Sequence, residues 1–248
     1  MSSRLLVVGA AGKMGTAVRA AVVGRDALSV SGTVDADQTR EVLAAALAAC
    51  DVYIDFSTPA ATALTARAAA TPRCAAVIGT TGLTSDATAA LDELAKVAPV
   101  IVAANFSLGV NLMLGLVRQA ARALGEWDAE VVETHHNQKR DAPSGTALAL
   151  AKAIAAGHGV EYEAVKRHTR DGEIGARPHG EIGVATLRGG DVVGEHVAYF
   201  FGEAERIEIA HRATSRSIFA TGAVVAATWL VGKPPGRYTM FDVLGLAS

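Results

Sequence analysis

Short apolar runs rich in β-branched residues alternate with alanine-rich segments of helical length between Leu5 and Ala104. This alternation is typical of a parallel sheet whose strands are joined by crossover helices. It predicts strands at 5–8, 28–34, 52–56, 75–78 and 100–103. It predicts helices at 14–23, 39–48, 59–70 and 85–98.

The pattern changes after Asn105. It predicts helices at 111–124 and 144–156 and a strand at 129–134. Three later runs alternate with the period of two expected for half-buried antiparallel strands, at 182–188, 196–202 and 206–213. The polar, glycine-containing segment 161–180 predicts a long surface loop.

The segment 217–232 returns to an alanine-rich helical pattern, which Lys233-Pro234-Pro235-Gly236 ends. Because it resembles the helices of the first half, we expect it to pack on the first domain. The sequence thus predicts two domains. Residues 1–106 with 217–248 form an α/β domain with a Rossmann-like parallel sheet, and residues 107–216 form an α+β domain with a mixed or antiparallel sheet.

Composition and charge exclude several classes of function. The 248 residues carry a formal net charge of −2 without a stripe of Lys and Arg, so we expect neither nucleic acid nor a membrane surface as a partner. No apolar run reaches the roughly 18 residues of a membrane span, and the N-terminus lacks the basic leader of a secretory signal, so we expect a cytoplasmic protein. Cys50 and Cys74 form no CxxC pair, so we expect two buried thiols and no metal site.

A glycine-rich turn lies between the first predicted strand and the first predicted helix. Gly9, Gly12 and Gly15 are spaced GxxGxxG, and such glycines let backbone N–H groups approach a pyrophosphate at a helix N-terminus. Asp35 ends the second strand, 20 residues beyond Gly15, where a carboxylate accepts hydrogen bonds from an adenosine ribose. Together these features predict a dinucleotide site.

The choice of cofactor depends on the surroundings of that ribose, because a 2′-phosphate needs a cation and is repelled by a carboxylate. Asp35 is followed by Ala36 and not by Arg or Lys, which favours NADH. Lys13 in the glycine turn leaves NADPH open.

Three further segments follow predicted strands, at the edge where open α/β sheets bind ligands. Gly79-Thr80-Thr81-Gly82 either lines the nicotinamide or forms a plain turn, with Thr84 or Ser85 as the N-cap of the next helix. Ala103-Ala104-Asn105-Phe106 leaves the same two interpretations open. For Asp55-Phe56-Ser57-Thr58-Pro59, capping of the following helix is favoured.

The segment from Glu133 to Thr146 combines several kinds of chemistry. His135 and His136 supply imidazoles, the side-chain type that can exchange protons near neutrality, and Lys139 adds an ammonium. These side chains suit an anionic substrate that must be both held and protonated. Adjacent imidazoles project in different directions, which argues against a zinc site.

Ser144-Gly145-Thr146 supplies two hydroxyls and free backbone N–H groups at the start of a predicted helix, a place that binds carboxylate or phosphate. The alternative is that Ser144 is simply an N-cap, that the two histidines are a strand residue and its exposed neighbour, and that Lys139 and Arg140 are a solvated pair.

These motifs together resemble the dihydrodipicolinate reductase family nearly end to end. The resemblance rests on Gly9-Ala-Ala-Gly-Lys-Met-Gly15, Asp55-Phe-Ser-Thr-Pro59, Gly79-Thr-Thr-Gly82, Ala104-Asn-Phe-Ser107, Glu133-Thr-His-His through Ser-Gly-Thr146, Gly180-Glu-Ile-Gly183, Arg188 through His196, and His211 through Arg216. It implies NAD(P)H-dependent reduction of 4-hydroxy-tetrahydrodipicolinate, with loss of water, in diaminopimelate and lysine biosynthesis.

The resemblance also implies roles for individual residues. His135 is then the acid/base group, Lys139 a proton donor, His136 a substrate contact, and Gly145 with Thr146 the carboxylate site. The implied cofactor contacts are Gly9, Ala10, Ala11, Gly12, Lys13, Met14, Gly15, Asp35, Gly79, Thr80, Thr81, Ala103, Ala104, Asn105 and Phe106. A homotetramer built through the sheet of the second domain is implied as well.

Two positions depart from the family pattern: Gln138, where many members carry His, and Ala36, where some carry Arg. Two other functions stay open on sequence grounds. One is a catalytically silent nucleotide-binding protein, and the other is a two-domain dehydrogenase acting on another small substrate. A thioester-forming semialdehyde dehydrogenase needs a nucleophilic Cys, and neither Cys50 nor Cys74 stands at a strand end beside a base.

Overall fold

The computed structural model describes residues 2–36 and 38–246; the outermost positions of the predicted first domain, 1, 247 and 248, lie outside them. The strands are β1 (Ser3–Val8), β2 (Leu28–Val34), β3 (Val52–Asp55), β4 (Ala75–Ile78), β5 (Pro99–Val102), β6 (Asp128–His135), β7 (Lys166–Arg167), β8 (Ile182–Arg188), β9 (Gly194–Phe201), β10 (Arg206–Ala213) and β11 (Gly236–Tyr238). The helices are α1 (Lys13–Val22), α2 (Arg40–Ala48), α3 (Pro59–Ala69), α4 (Ser85–Ala95), α5 (Leu108–Ala123), α6 (Gly145–His158), α7 (Tyr162–Val165), α8 (Ser217–Leu230) and α9 (Met240–Leu244).

The chain divides into two compact units. The first comprises Met1–Leu108 and Ser217–Ser248, and the second comprises Gly109–Arg216. The sheet of the first unit has the order β11-β5-β4-β3-β1-β2, and all of its pairings are parallel. The parallel α/β sheet expected from the sequence is thus confirmed.

The first sheet is covered on both faces, because alternate residues of β1 are apolar on each face. Leu5 and Val7 belong to a core that α1 and α8 close, and Leu6 and Val8 belong to a second core beneath α2, α3 and α4. Strands buried on both faces are near-continuous apolar runs, which is why the sequence revealed them clearly. Helix α8 lies against β3, β4 and β5 of the first unit, as its composition suggested.

The sheet of the second unit is mixed, with the order β10-β9-β6-β8-β7. The expectation that all three late strands are antiparallel is wrong for β8, which pairs parallel to β6, with Val131 opposite Val184. Period-two alternation reports which side chains are buried and carries no information on strand direction. The connection from β6 to β8 runs through α6, and a crossover of that length joins parallel strands.

The segment 161–180, expected to be loop, contains α7 and the two-residue β7. Arg170 fastens the rest of it to β6 with Nη1 and Nη2 donating to Glu130 at 3.0 and 2.7 Å. Strand β11 and helix α9 were not predicted. Both are very short, and β11 depends on pairing with β5, which no local pattern shows.

No helix within residues 2–36 and 38–246 is long and apolar enough to cross a membrane. The same residues contain no group of three or more His, Cys, Asp or Glu side chains placed to hold a metal ion. Cys50 and Cys74 are buried free thiols, as expected, and their Sγ atoms lie 2.8 Å apart.

Candidate functional site

The glycine turn of the first unit is held by its own backbone. Gly9 N donates to Val34 O at 2.8 Å, and Gly12 N donates to Gly9 O at 3.1 Å. Gly9 has φ of 76°, and a Cβ on Gly15 would lie 2.2 Å from Gly9 O. Only glycine allows this turn to close, so the spacing seen in the sequence follows from steric contact.

The start of α1 differs from the starts of α2, α3, α4 and α6. Side chains of Thr39, Thr58, Thr84 and Ser144 cap helices α2, α3, α4 and α6, whereas Gly12 has no side chain with which to cap α1. The first turn of α1 therefore receives no side-chain cap from its N-cap residue, which suits the binding of an oxyanion such as a pyrophosphate.

A cleft of about 860 Å³ opens beside this turn. Of the predicted cofactor residues, Gly9, Gly12 and Asp35 line it, together with apolar side chains that include Leu43 and Leu64. Asp35 Oδ1 accepts from Ala11 N at 2.9 Å, so this carboxylate both fixes the turn and lines the cleft. A cleft with apolar walls and a carboxylate at its edge has the lining that an adenosine requires.

The other residues of the turn are placed differently. Ala10 and Gly15 are buried within its own packing, and Met14 packs against the core. Ala11 and Lys13 are exposed. Of these residues only Lys13 presents a charged side chain to solvent.

The ends of β3 and β4 meet through a buried carboxylate. Asp55 is fully buried, and its Oδ1 accepts from Ser57 N at 2.8 Å and from Thr80 Oγ1 at 3.3 Å, while Oδ2 accepts from Thr62 Oγ1 at 2.8 Å. Burial raises the pKa of Asp55 above its usual value. Thr80 thus serves as an internal strut between two turns at the carboxyl edge of the sheet.

The two remaining predicted segments follow β4 and β5. Thr84 is the N-cap of α4, as the turn interpretation of 79–82 expected. Thr81 is exposed and does not cap the helix. After β5, Ala103 and Ala104 lie at the sheet edge, and Asn105 Oδ1 accepts from Ser107 N at 2.8 Å. The ring of Phe106 is buried in the core, 6.0 Å from Phe56, so this residue offers a ligand its backbone only.

The second unit contains a fully buried carboxylate, Glu133, on the inward face of β6. It accepts hydrogen bonds from five groups in all. These are Arg188 Nη1 at 2.8 Å, Arg188 Nη2 at 2.9 Å, His135 Nδ1 at 2.6 Å, Ser144 N at 2.9 Å and Thr186 Oγ1 at 3.3 Å. Burial alone would raise the pKa of Glu133, but the hydrogen bonds from Arg188 and His135 outweigh it, so the pKa is lowered and the group is ionised.

This carboxylate fixes the orientation of His135. An ionised carboxylate only accepts, so Nδ1 of His135 carries the proton and Nε2 is the nitrogen left for proton exchange. A Cβ on Gly194 would lie 2.9 Å from Nε2, so glycine at that position keeps room for a reacting group. A carboxylate that holds an imidazole in one tautomer is a common feature of acid/base sites.

Lys139 is joined to the same network through Asp141. Its Nζ donates to Asp141 Oδ1 and Oδ2 at 2.8 and 2.9 Å, and this ammonium lowers the pKa of Asp141. Arg188 Nη2 donates to Asp141 O at 2.7 Å. Lys139 is thus connected to Glu133 through Asp141 and Arg188.

The two nitrogens of His136 each face a donor. Arg216 Nη2 lies 3.2 Å from Nε2, and Gln138 N donates towards Nδ1 at 3.2 Å. A neutral imidazole accepts at one nitrogen only, so one of the two contacts is not a hydrogen bond. Arg216 thereby adds a cation beside a residue that the sequence suggested for substrate contact.

Ser144 is the N-cap of α6, with Ala147 N donating to its Oγ at 3.1 Å. The capping alternative is therefore correct for Ser144. Capping does not exclude an anion site at this helix start, because the backbone N of Ser144 also donates to Glu133 Oε1. Gly145 is exposed, with open space where a Cβ would stand, and Thr146 is half-buried in the same helical turn. Capping and ligand binding are compatible at this helix start.

The site also contains four residues for which the sequence indicated no role: Glu133, Arg188, His196 and Arg216. A signal for Glu133 was present: alternate residues of β6 are buried, so a carboxylate two residues before His135 shares its inward face and needs partners. No such signal exists for Arg188, which lies 55 residues along the chain from Glu133.

Two family models and two curated relatives that match this chain carry the name of one reductase. Residues 3–106 match the family model "Dihydrodipicolinate reductase, N-terminus", and residues 109–244 match "Dihydrodipicolinate reductase, C-terminus". The chain is 48% identical to a 4-hydroxy-tetrahydrodipicolinate reductase of Anaeromyxobacter dehalogenans, over 98% of both chains. It is 48% identical to one of Methylocella silvestris, over 98% of this chain and 97% of the other.

A solved structure, a dipicolinate-bound dihydrodipicolinate reductase from Paenisporosarcina, shares the fold. Its TM-score is 0.79 at 24% identity, and the match covers 98% of this chain and 99% of that one.

Proposed function

Because the chain belongs to the dihydrodipicolinate reductase family, we propose that its two sites together carry out the NAD(P)H-dependent reduction of 4-hydroxy-tetrahydrodipicolinate to tetrahydrodipicolinate, with loss of water. The substrate is a cyclic dicarboxylate with an imine. Its reduction needs a bound dinucleotide, a carboxylate site and a proton donor. The chain has candidates for all three.

One observation carries the assignment of the substrate site to the second unit. Glu133 joins the imidazole of His135 to the N-terminus of α6 through hydrogen bonds of 2.6 and 2.9 Å. A group that exchanges protons and a helix start that binds carboxylates are thereby fixed relative to each other. This pairing suits a substrate that is held by a carboxylate while a proton moves elsewhere on its ring.

Each residue then has a chemical task. Gly145 and Thr146, at the start of α6, hold one carboxylate of the substrate, with Ser144 beside them. When bound, the reduced nicotinamide supplies the hydride. Hydride addition to the conjugated imine leaves negative charge on the ring, and Lys139 Nζ or His135 Nε2 neutralises it with a proton. Arg216, which lies beside His136, adds positive charge for the second carboxylate.

The direct test mixes the purified chain, NADH and freshly generated 4-hydroxy-tetrahydrodipicolinate and follows absorbance at 340 nm. We expect loss of absorbance that depends on all three components and that pyridine-2,6-dicarboxylate inhibits. Tight NADH binding without turnover would instead support a silent nucleotide-binding protein.

For the cofactor we infer a preference for NADH, because Asp35 lines the adenosine cleft and would repel a 2′-phosphate. Arg40 lines the same cleft and is the residue that weakens this inference. A comparison of kcat/KM for NADH and NADPH tests the inferred preference. Arg40→Gln should lower kcat/KM for NADPH more than kcat/KM for NADH. A strong NADPH preference in the unmodified protein would overturn the inference.

For assembly we infer a homotetramer formed through the outward face of the second sheet. Leu187 and Phe201 are exposed there, and Tyr199 stacks on Phe201 with ring centroids 5.6 Å apart. An apolar patch of this kind on a sheet marks an interface. Native mass spectrometry should give four copies, and Leu187→Lys should dissociate them; a monomeric unmodified chain would contradict the inference. We assign the reaction to the cytoplasm, where reduced dinucleotide is available.

A further inference from the structure

His196 lies on β9 directly opposite Glu133 and is buried, with its ring 5.2 Å from that of His135. Its Nε2 is 3.0 Å from Ser144 Oγ. Its Nδ1 is buried and has no hydrogen-bond partner among the described residues. The proposed function has so far given this imidazole no task.

The surroundings of the ring decide which nitrogen carries the proton. Burial, with the nearby His135, lowers the pKa of His196 to about 4, so the ring is neutral and has one N–H. A buried N–H without an acceptor is rarer in proteins than an unpaired acceptor. The proton therefore belongs on Nε2, where it is donated to Ser144 Oγ.

This donation fixes the polarity of the Ser144 hydroxyl. A hydroxyl oxygen has two lone pairs and one proton. Ala147 N and His196 Nε2 occupy the two lone pairs, at 3.1 and 3.0 Å. The hydroxyl proton must then be donated to a third group, and no acceptor for it is present among residues 2–36 and 38–246.

We propose that His196 is a positioning residue that makes the Ser144 hydroxyl a committed donor to one carboxylate of the substrate. The proposal rests on the proposed function, which brings a dicarboxylate to the start of α6. Ser144 is almost fully shielded from water, which strengthens a hydrogen bond to an arriving anion. Without His196 the hydroxyl would be free to turn and offer a lone pair in place of its proton.

The test compares His196→Phe, which fills the space without a donor, with His196→Gln, whose amide N–H can replace Nε2–H. Binding of pyridine-2,6-dicarboxylate is measured by calorimetry, alongside KM and kcat. We expect His196→Phe to raise the dissociation constant and KM about tenfold with little change in kcat, as for one lost hydrogen bond to a charged group. His196→Gln should restore most of the affinity, and His158→Phe, at another half-buried imidazole, should leave it unchanged.

A double-mutant comparison separates positioning from packing. In a Ser144→Ala background, His196→Phe should have no further effect on affinity. Equal losses in the Phe and Gln variants, or an undiminished loss in the Ser144→Ala background, would overturn the proposal. If His196→Phe does not fold, His196→Asn, whose amide is too short to reach Ser144, takes its place against Gln. Failure of the unmodified chain to turn over substrate would count against the proposed function instead.

Discussion

The candidate dinucleotide site and the candidate substrate site present hydrogen-bond donors by opposite means. In the first unit the donors are backbone N–H groups of a turn that only glycine can form, and residues adjacent in sequence build it. In the second unit the groups are side chains gathered around one buried carboxylate, Glu133, from three strands and a helix start.

The two sites are therefore sensitive to different kinds of substitution. A backbone turn is sensitive to added volume, because nothing in it can move aside. A cluster around a buried carboxylate is sensitive to lost charge, because removing one partner leaves the others desolvated and unpaired. The two sites should therefore fail separately and for different reasons.

The largest expected effect is on catalysis in the second unit. His135→Ala and Lys139→Ala should each lower kcat by about 10² to 10⁴, the range for loss of a positioned acid. The dissociation constant for NADH, measured by fluorescence, should hardly change, since the dinucleotide turn is untouched. Arg140→Ala, which removes a neighbouring exposed cation, is the control. Near-normal turnover in either variant would remove that residue from its assigned role.

The second effect concerns the buried carboxylate itself. Glu133→Gln replaces one acceptor oxygen with an NH₂ group that must face other donors, and it leaves the Arg188 guanidinium without its counter-charge. We expect a loss of about 3 kcal/mol in unfolding free energy, as for a broken buried pair. Glu208→Gln, at an exposed pair with Arg206, should cost well under 1 kcal/mol. Similar losses in the two variants, by urea unfolding, would show that burial of Glu133 has no energetic consequence.

The same contrast explains what the sequence could predict. The glycine turn, Asp35 and the strands of the first sheet are encoded within short segments, so spacing and hydrophobicity were enough to find them. The link between His135 and the start of α6 was not visible, because it depends on Glu133 meeting Arg188 and His196 after the sheet has formed.

The sequence pattern also did not reveal the direction in which strands pair or the burial of individual side chains. The alternation in β8 located its buried face but not its parallel pairing with β6. The ring of Phe106 packs in the core, so the cofactor contact expected of this residue stays a prediction for its backbone alone, because motif position does not say which way a side chain points.

The third effect tests the dependence of the first unit on small volume. A Cβ on Gly15 would lie 2.2 Å from Gly9 O and 2.6 Å from Ala10 Cα, and backbone atoms cannot move aside as a side chain end can. Gly15→Ala should therefore weaken NADH binding by about 2 kcal/mol, in the range for overpacking, while pyridine-2,6-dicarboxylate binding is kept. Gly125→Ala, which meets open space, is the control for the substitution itself. Unchanged NADH affinity in Gly15→Ala would mean that the turn does not shape the dinucleotide site.

The smallest effect is a pH dependence confined to the second unit, which contains all seven histidines of the chain. The pKa of His196 is lowered to about 4 by burial and by His135, so as pH falls below 6.5 the unfolded chain takes up a proton that the folded chain refuses. Stability from this group is complete above pH 6.5 and declines as pH falls towards 4. Between pH 7 and 5.5 the unmodified chain should lose about 1 kcal/mol more unfolding free energy than His196→Gln.

Urea unfolding of Trp229→Phe proteins, in which Trp127 is the tryptophan that reports on the second unit, measures this difference. His158, whose pKa burial also lowers, contributes equally to both proteins and cancels. Equal pH slopes would show that burial in the folded protein does not disfavour protonation of His196.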